Sequence, residues 1–277
     1  MIWLGAFALL CFAANSVLAR LALRSGLIDP ASFTAIRLLS GAVVLGVLLR
    51  IRGTPRAEPA GRWTGAVLLF LYAAPFSFAY LSLPAGTGAL LLFGAVQLTM
   101  IGAGLRSGER PEPLEWIGLI AALAGLVYLN LPGLGAPSLH GALLMLVAGA
   151  AWGLYSLRGR AASAPLPRTA ESFLYATPLG LLLAAAGLSQ AHLSPAGVAF
   201  AVASGGLASG LGYAAWYAVL PRLSATRAGT VQLSVPVVAA LGGTALLGER
   251  VSLRLAASAV AILGGVGLAI SARGRPR

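Results

Sequence analysis

The chain has 277 residues, of which 58% are hydrophobic and only 9% charged, about a third of the charge a soluble domain carries. That balance excludes a water-soluble enzyme or binding module of ordinary composition. The net charge of +12 comes from nineteen arginines and no lysine; they are scattered over short loops, with no continuous basic stripe and no stacking aromatics between them, which excludes a nucleic-acid partner.

The hydrophobic residues come in ten runs of roughly 20, the length of a helix that crosses a bilayer. The runs are 2–23, 31–51, 63–83, 86–106, 114–131, 139–159, 170–189, 196–220, 226–247 and 252–272. The first lacks a basic leader, so it reads as an uncleaved span rather than a signal peptide. It carries Asn15 near its centre and Arg20 near its end, where a long side chain can snorkel. Cys11 is the single cysteine and forms no intrachain disulfide. In the second span Arg37 lies about seven residues in. A charge at that depth is costly and tends to be functional; it either holds a substrate carboxylate or bonds backbone carbonyls at a broken helix.

The third span sets Tyr72, Phe76 and Tyr80 on one helical face, with Pro75 among them. Gln97 lies near the middle of the fourth, Trp152 and Tyr155 in the sixth, and Pro178 in the seventh. Tyr213, Trp216 and Tyr217 share a face of the eighth, and Gln232 and Pro236 lie in the ninth. Buried amides need partners, so Asn15, Gln97 and Gln232 either bond between helices or line a cavity. The aromatic faces either pack, form a belt at the membrane surface, or line a cavity suited to a planar apolar side chain. Tyr80 and Tyr217, near span ends, suit the belt best. Pro75, Pro178 and Pro236 are candidate hinges or helix breaks, because proline frees backbone groups that must then face protein or water.

The acidic residues are Asp29, Glu58, Glu109, Glu112, Glu115, Glu171 and Glu249. All fall in loops or at span ends. His140 and His192 lie in or beside loops. No carboxylate or imidazole is expected near the midplane. The chain is therefore expected to hold no metal and no cofactor, and to lack the mid-membrane glutamate with which small multidrug carriers exchange protons for cations.

Landmarks of the first half recur in the second. Ala13-Ala14-Asn15 and Ala150-Ala151-Trp152 are separated by 137 positions, as are Tyr80 to Pro84 and Tyr217 to Pro221. Gly108-Glu109-Arg110 and Gly248-Glu249-Arg250 are separated by 140. The chain thus divides into repeats 1–137 and 138–277 within one membrane domain. Five spans per repeat means that the second enters from the opposite side, the inverted-repeat plan of secondary transporters with a site between halves near the midplane. The expected fold is an all-α integral membrane protein of ten transmembrane helices in two inverted five-helix repeats.

Fourteen of the nineteen arginines fall in loops on the side of the chain ends; Arg24, Arg250 and Arg254 fall on the other. The positive-inside rule then places both termini in the cytoplasm. The chain is expected to be multi-pass in a bacterial inner membrane.

These features resemble a family. Two five-span repeats, Arg37 within Ala35-Ile36-Arg37-Leu38, the Ala150-Ala151-Trp152 opening of the second half and a Gly-Glu-Arg hairpin in each half resemble the EamA-like ten-helix branch of the drug/metabolite transporter superfamily. The chain looks most like the aromatic amino-acid exporters of bacterial inner membranes. It departs from the family pattern in its fourth span, where Val96 and Gln97 stand opposite the Ser234-Val235-Pro236 of the ninth. The resemblance implies export of amino acids or related small metabolites through a central cavity by alternating access. The partners it implies are the small-molecule substrate and the bilayer, with no protein partner and no catalytic residue. A nucleotide-sugar or sugar-phosphate carrier of the same superfamily remains open, although it needs several cavity cations where Arg37 is nearly alone. A membrane-embedded lipid-modifying enzyme needs clustered Asp, His, Cys or Glu, and the sequence shows no such cluster.

Overall fold

The computed structural model describes residues 2–53, 62–106, 113–131, 136–160, 164–219, 232 and 234–273. The described residues form ten helical spans. These are α1 (Ile2–Arg24), α2 (Pro30–Ile51), α3 (Arg62–Ala79), α4 (Ala85–Arg106) and α5 (Pro113–Asn130), then α6 (Leu139–Arg160), α7 (Pro165–Ala186), α8 (Pro195–Val219), α9 (Ser234–Leu247) and α10 (Leu253–Arg273). Five of them, α1, α2, α6, α7 and α8, are by length and composition able to cross a membrane, and the others are apolar but shorter. The Gly108-Glu109-Arg110 turn and Pro221 lie outside the described residues.

Two spans differ from the sequence expectation. The third ends at Ala79, and Tyr80 to Leu83 form the turn into α4. The seventh starts at Pro165, so Arg168 and Glu171 lie within its first two turns. Pro165 and Pro167 read as loop in sequence, yet the first helical positions need no backbone donor and favour the fixed φ of proline. The same logic starts α2, with Pro30 at its first position and Asp29 capping it by accepting the Ser32 N–H at 2.8 Å, and α8, where Ser194 caps ahead of Pro195. Gly248 stops α9 at φ 64°, a left-handed value that glycine adopts without strain.

The helix contacts follow a two-fold pattern. α2 packs on α7, α4 on α9 and α5 on α10, each pairing a helix with its counterpart in the other half. Most of the remaining cross-half contacts come in matched pairs: α3 on α6 is answered by α8 on α1, α3 on α7 by α8 on α2, and α4 on α6 by α9 on α1. An inverted repeat requires this exchange. The outer faces are apolar, with Val43, Ile120, Leu182, Leu241 and Val260 exposed, as befits a bundle solvated by lipid rather than water. Trp3, Trp63 and Trp116 are exposed at the starts of α1, α3 and α5. These three helices start on one side of the bundle, so the tryptophans mark one membrane–water boundary.

Candidate functional site

α2 brings Arg37 to the centre of the bundle with 1% of its surface exposed. Counting from the Asp29 cap, it lies about 12 Å into the helix at the α-helical rise. Its guanidinium donates from Nη2 to the Tyr72 hydroxyl at 2.8 Å and from Nε to Ser209 Oγ at 3.3 Å. It lies 4.6 Å from the Phe76 ring centroid and 5.0 Å from that of Tyr72. Nη1 is buried and makes no hydrogen bond of good geometry, and neither does the Tyr213 hydroxyl, although that hydroxyl lies within bonding reach of Arg37 and of Tyr72. Every polar group bonded to Arg37 is neutral. The ion pair between Arg20 and Glu249 lies elsewhere.

The repeat explains the grip on Arg37. At the 137-residue offset, Tyr72 of α3 corresponds to Ser209 of α8, and Phe76 to Tyr213. Matched positions of the two halves therefore hold one guanidinium from opposite sides. Ser209 also accepts from Asn15 Nδ2 at 3.2 Å, and Asn15 Oδ1 accepts from Ser204 at 2.7 Å. Two serines five residues apart point about 140° apart on an α-helix. Here Ala203–Leu211 is a π-helix, whose wider i→i+5 turn brings both hydroxyls round to Asn15. Gly205 in that segment lies so close to α2 that a Cβ there would meet Arg37 O and Ser40 Oγ.

Around this polar knot stands an aromatic cluster centred on Trp152. Its ring lies 5.0 Å from Tyr72, 4.8 Å from Tyr213, 5.5 Å from Tyr155 and 6.1 Å from Phe12. Phe12 also meets Trp216 at 5.7 Å, and Phe173 meets Tyr213 at 5.7 Å. Thus Asn15, Arg37, Tyr72, Phe76, Trp152, Tyr155, Tyr213 and Trp216 form one region at the interface of the halves. Tyr80 continues the stripe, 4.7 Å from Phe76, but sits in the α3–α4 turn. Tyr217 packs over Gly159 of α6. Neither is a belt residue: both are buried, because the close-packed hairpin and the α6–α8 contact enclose them. Gln97 and Gln232 are buried on α4 and on the segment ahead of α9. Gln97 Nε2 has no partner, and no hydrogen bond links either amide to Arg37.

The prolines do not break their helices. α3 and α7 run on through Pro75 and Pro178. Pro236 is the third residue of α9 and lines an apolar groove of about 220 Å³ with Leu90, Leu241 and Leu255. None of the residues lining that groove belongs to the Arg37 cluster. The irregular backbone is the π segment of α8. Sequence reasoning missed Ser204 and Ser209, whose spacing has no α-helical meaning, and Phe12 and Phe173, which are indistinguishable by pattern from lipid-facing residues.

On the side away from the chain ends, two clasps join the halves. Arg20 Nε pairs with Glu249 Oε1 at 3.0 Å, while its Nη1 donates to Tyr80 O and Leu81 O at 2.9 and 3.0 Å. Glu249 Oε2 accepts the Ala85 N–H at 2.7 Å, capping α4. The second clasp is a backbone bridge between Ile28 and Leu193. Asp29 N–H donates to His192 O at 3.0 Å, and Ser194 N–H to Leu27 O at 2.8 Å. The Asp29 carboxylate also accepts the His192 N–H at 3.2 Å. Partial burial pushes its pKa up, yet the Ser32 hydroxyl and the Ser32, His192 and Ala31 amides outweigh this and hold it below the usual carboxylate value. Both clasps lie at the face from which α2 starts, about 12 Å along that helix from Arg37.

A model of the EamA-like transporter family matches residues 1–131 and again residues 139–271. An uncharacterized Pseudomonas aeruginosa protein is 53% identical over 270 residues, covering 98% of this chain and 94% of that protein. The threonine/homoserine exporter RhtA of Salmonella typhimurium is 32% identical over 177 residues, 60% of this chain and 58% of the exporter. YedA, an uncharacterized inner membrane transporter of Escherichia coli, is 26% identical over 80% of this chain and 76% of its own length. A solved crystal structure 22% identical in sequence superimposes with a TM-score of 0.67, covering 97% of this chain and 99% of that one; at that identity it speaks to the fold.

Proposed function

The chain belongs to the EamA-like transporter family, and from that premise we propose that it exports small carboxylate-bearing metabolites, amino acids among them, by alternating access around Arg37. The observation that carries this is the buried guanidinium, which has neutral partners and a free Nη1. A buried cation without a counter-charge is costly, and a substrate carboxylate supplies that charge through strong charge-assisted bonds. The aromatic cluster provides a wall for the apolar remainder of the substrate. The relative that exports threonine and homoserine supports the amino-acid reading, and the aromatic wall supports a larger, planar side chain. A nucleotide-sugar carrier is a poorer match, because one guanidinium faces two phosphates.

The distribution of arginines supports a multi-pass chain with repeats 1–137 and 138–277 and both ends in the cytoplasm. Export then means release on the side of the Arg20 and Asp29 clasps.

The test is uptake into liposomes by purified protein, across threonine, homoserine, phenylalanine and the amides of each. Saturable flux of one or more acids is expected, with none of the amides carried and with loss of flux in Arg37→Gln. Flux indifferent to Arg37→Gln sinks the reading.

A further inference from the structure

A 2-amino acid brings two charges to a site, and the surroundings of Arg37 answer only one of them. A carboxylate meets the free Nη1, with the Tyr213 hydroxyl beside it. The ammonium, held by covalent geometry next to that carboxylate, needs an anion, a strong acceptor or an open aromatic face. The groups at hand do not supply one. Tyr72, Ser209, Asn15 and Ser204 are neutral. The best neutral acceptor, Asn15 Oδ1, already accepts Ser204 at 2.7 Å and Ser209 at 3.4 Å. The Phe76 and Tyr72 rings already face the Arg37 guanidinium, and Trp152 is stacked on Tyr155 at an interplanar angle of 28°. An ammonium beside Arg37 would instead meet a like charge in a low-dielectric interior, where such repulsion is weakly screened.

We propose that the site selects monocarboxylates that lack the 2-amino group: 2-oxo and 2-hydroxy acids with apolar or aromatic side chains. Such a ligand carries one negative charge and makes the Arg37 region neutral. Its oxo or hydroxy oxygen can accept from Tyr213. Phe12, Trp152 and Trp216 then face the side chain. Amino acids remain substrates, weakened by an unmet ammonium. This rests on the reading of Arg37 as the carboxylate anchor.

The experiment is equilibrium binding to purified full-length protein, read by thermal stabilisation. The probes are phenylalanine, phenylpyruvate, phenyllactate and phenylalaninamide, followed by leucine and its 2-oxo acid. The 2-oxo and 2-hydroxy acids should bind at least about tenfold more tightly than their amino acids, the lower bound set by one unsatisfied buried charged group. The amide should not bind. Arg37→Gln should abolish all binding, and Tyr213→Phe, which removes one hydroxyl and keeps the ring, should weaken the acids several-fold. Tighter binding of the amino acid than of its 2-oxo counterpart, still lost in Arg37→Gln, overturns the proposal and leaves the Arg37 anchor standing. Binding of the amide, binding that survives Arg37→Gln, or no binding of any probe overturns the anchor and the proposal together.

Discussion

Arg37 makes two hydrogen bonds and faces two rings, but no described carboxylate balances it. That decides what its removal should do. Deleting a buried, uncompensated cation relieves a desolvation cost of several kcal/mol. It also strips one partner each from Tyr72 and Ser209, at about 1 kcal/mol apiece. The terms oppose each other, so Arg37→Met should fold with a thermal midpoint near or above that of the native chain while losing carboxylate transport. Loss of transport with unchanged stability is the mark of a group kept for its ligand. A midpoint lower by ten degrees or more would show instead that the guanidinium holds the helices together. Much of this site was legible in the sequence: a charge within a span is rare enough to stand out, Tyr72 and Phe76 lie at helical spacing, and Tyr213 matches Phe76 at the repeat offset. Asn15 and Trp152 were legible as one repeated landmark. Ser204 and Ser209 were not, because the π segment that unites them has a local period that α-helical reasoning does not contain.

The Gly-Glu-Arg turn between α9 and α10 has a use that sequence reasoning left open. Glu249 lies outside any span, yet its carboxylate joins three elements: Arg20 at the end of α1, the N–H of Ala85 that opens α4, and through Arg20 the carbonyls of Tyr80 and Leu81. The side chains of Arg20 and Glu249 are each 9% exposed. Breaking such a pair from one side leaves a buried charge and costs about 3 kcal/mol or more, so Glu249→Gln should lower the unfolding midpoint by several degrees. Reversing the pair should not rescue it. In Arg20→Glu/Glu249→Arg the new cation faces the Ala85 N–H and the positive end of the α4 dipole, and the new carboxylate faces two carbonyl oxygens. Restoration of native stability by the double reversal would reduce the contact to a simple ion pair. Helix existence was legible from hydrophobic run length, and most ends from Pro, Gly and Asp chemistry. The ends that slipped, at Ala79 and Pro165, are those where apolar residues continue into a turn or prolines begin a helix.

Taken whole, the molecule encloses the Arg37 guanidinium between two half-bundles, and joins those halves on the side of Asp29, His192 and Glu249. Membrane-impermeant thiol labelling in a Cys11→Ala background should reach Arg52→Cys from the cytoplasm and Leu193→Cys from the opposite side. Labelling of both from one side would undo the inverted repeat. The same architecture bears on energetics. A carrier driven by protons places a titratable group where proton and substrate compete for it. The described carboxylates sit at or near the rims: Asp29 is bound in the clasp, Glu249 caps α4, Glu115 lies in the first turn of α5, and Glu171 is the seventh residue of α7. Arg37 does not deprotonate in proteins. A substrate carboxylate neutralises it without any proton transfer, so the loaded carrier crosses the membrane with its central charge balanced, whereas the empty carrier carries the guanidinium alone. Substrate should therefore move down its own gradient, faster when substrate is present on both sides, and an imposed pH gradient should change neither its direction nor its final distribution. Counterflow and net uptake in proteoliposomes, with and without that gradient, measure this. Accumulation above equilibrium only when the gradient is present would require a titrating carboxylate inside the bundle, and Glu171, two turns into α7, would be the first to replace by glutamine.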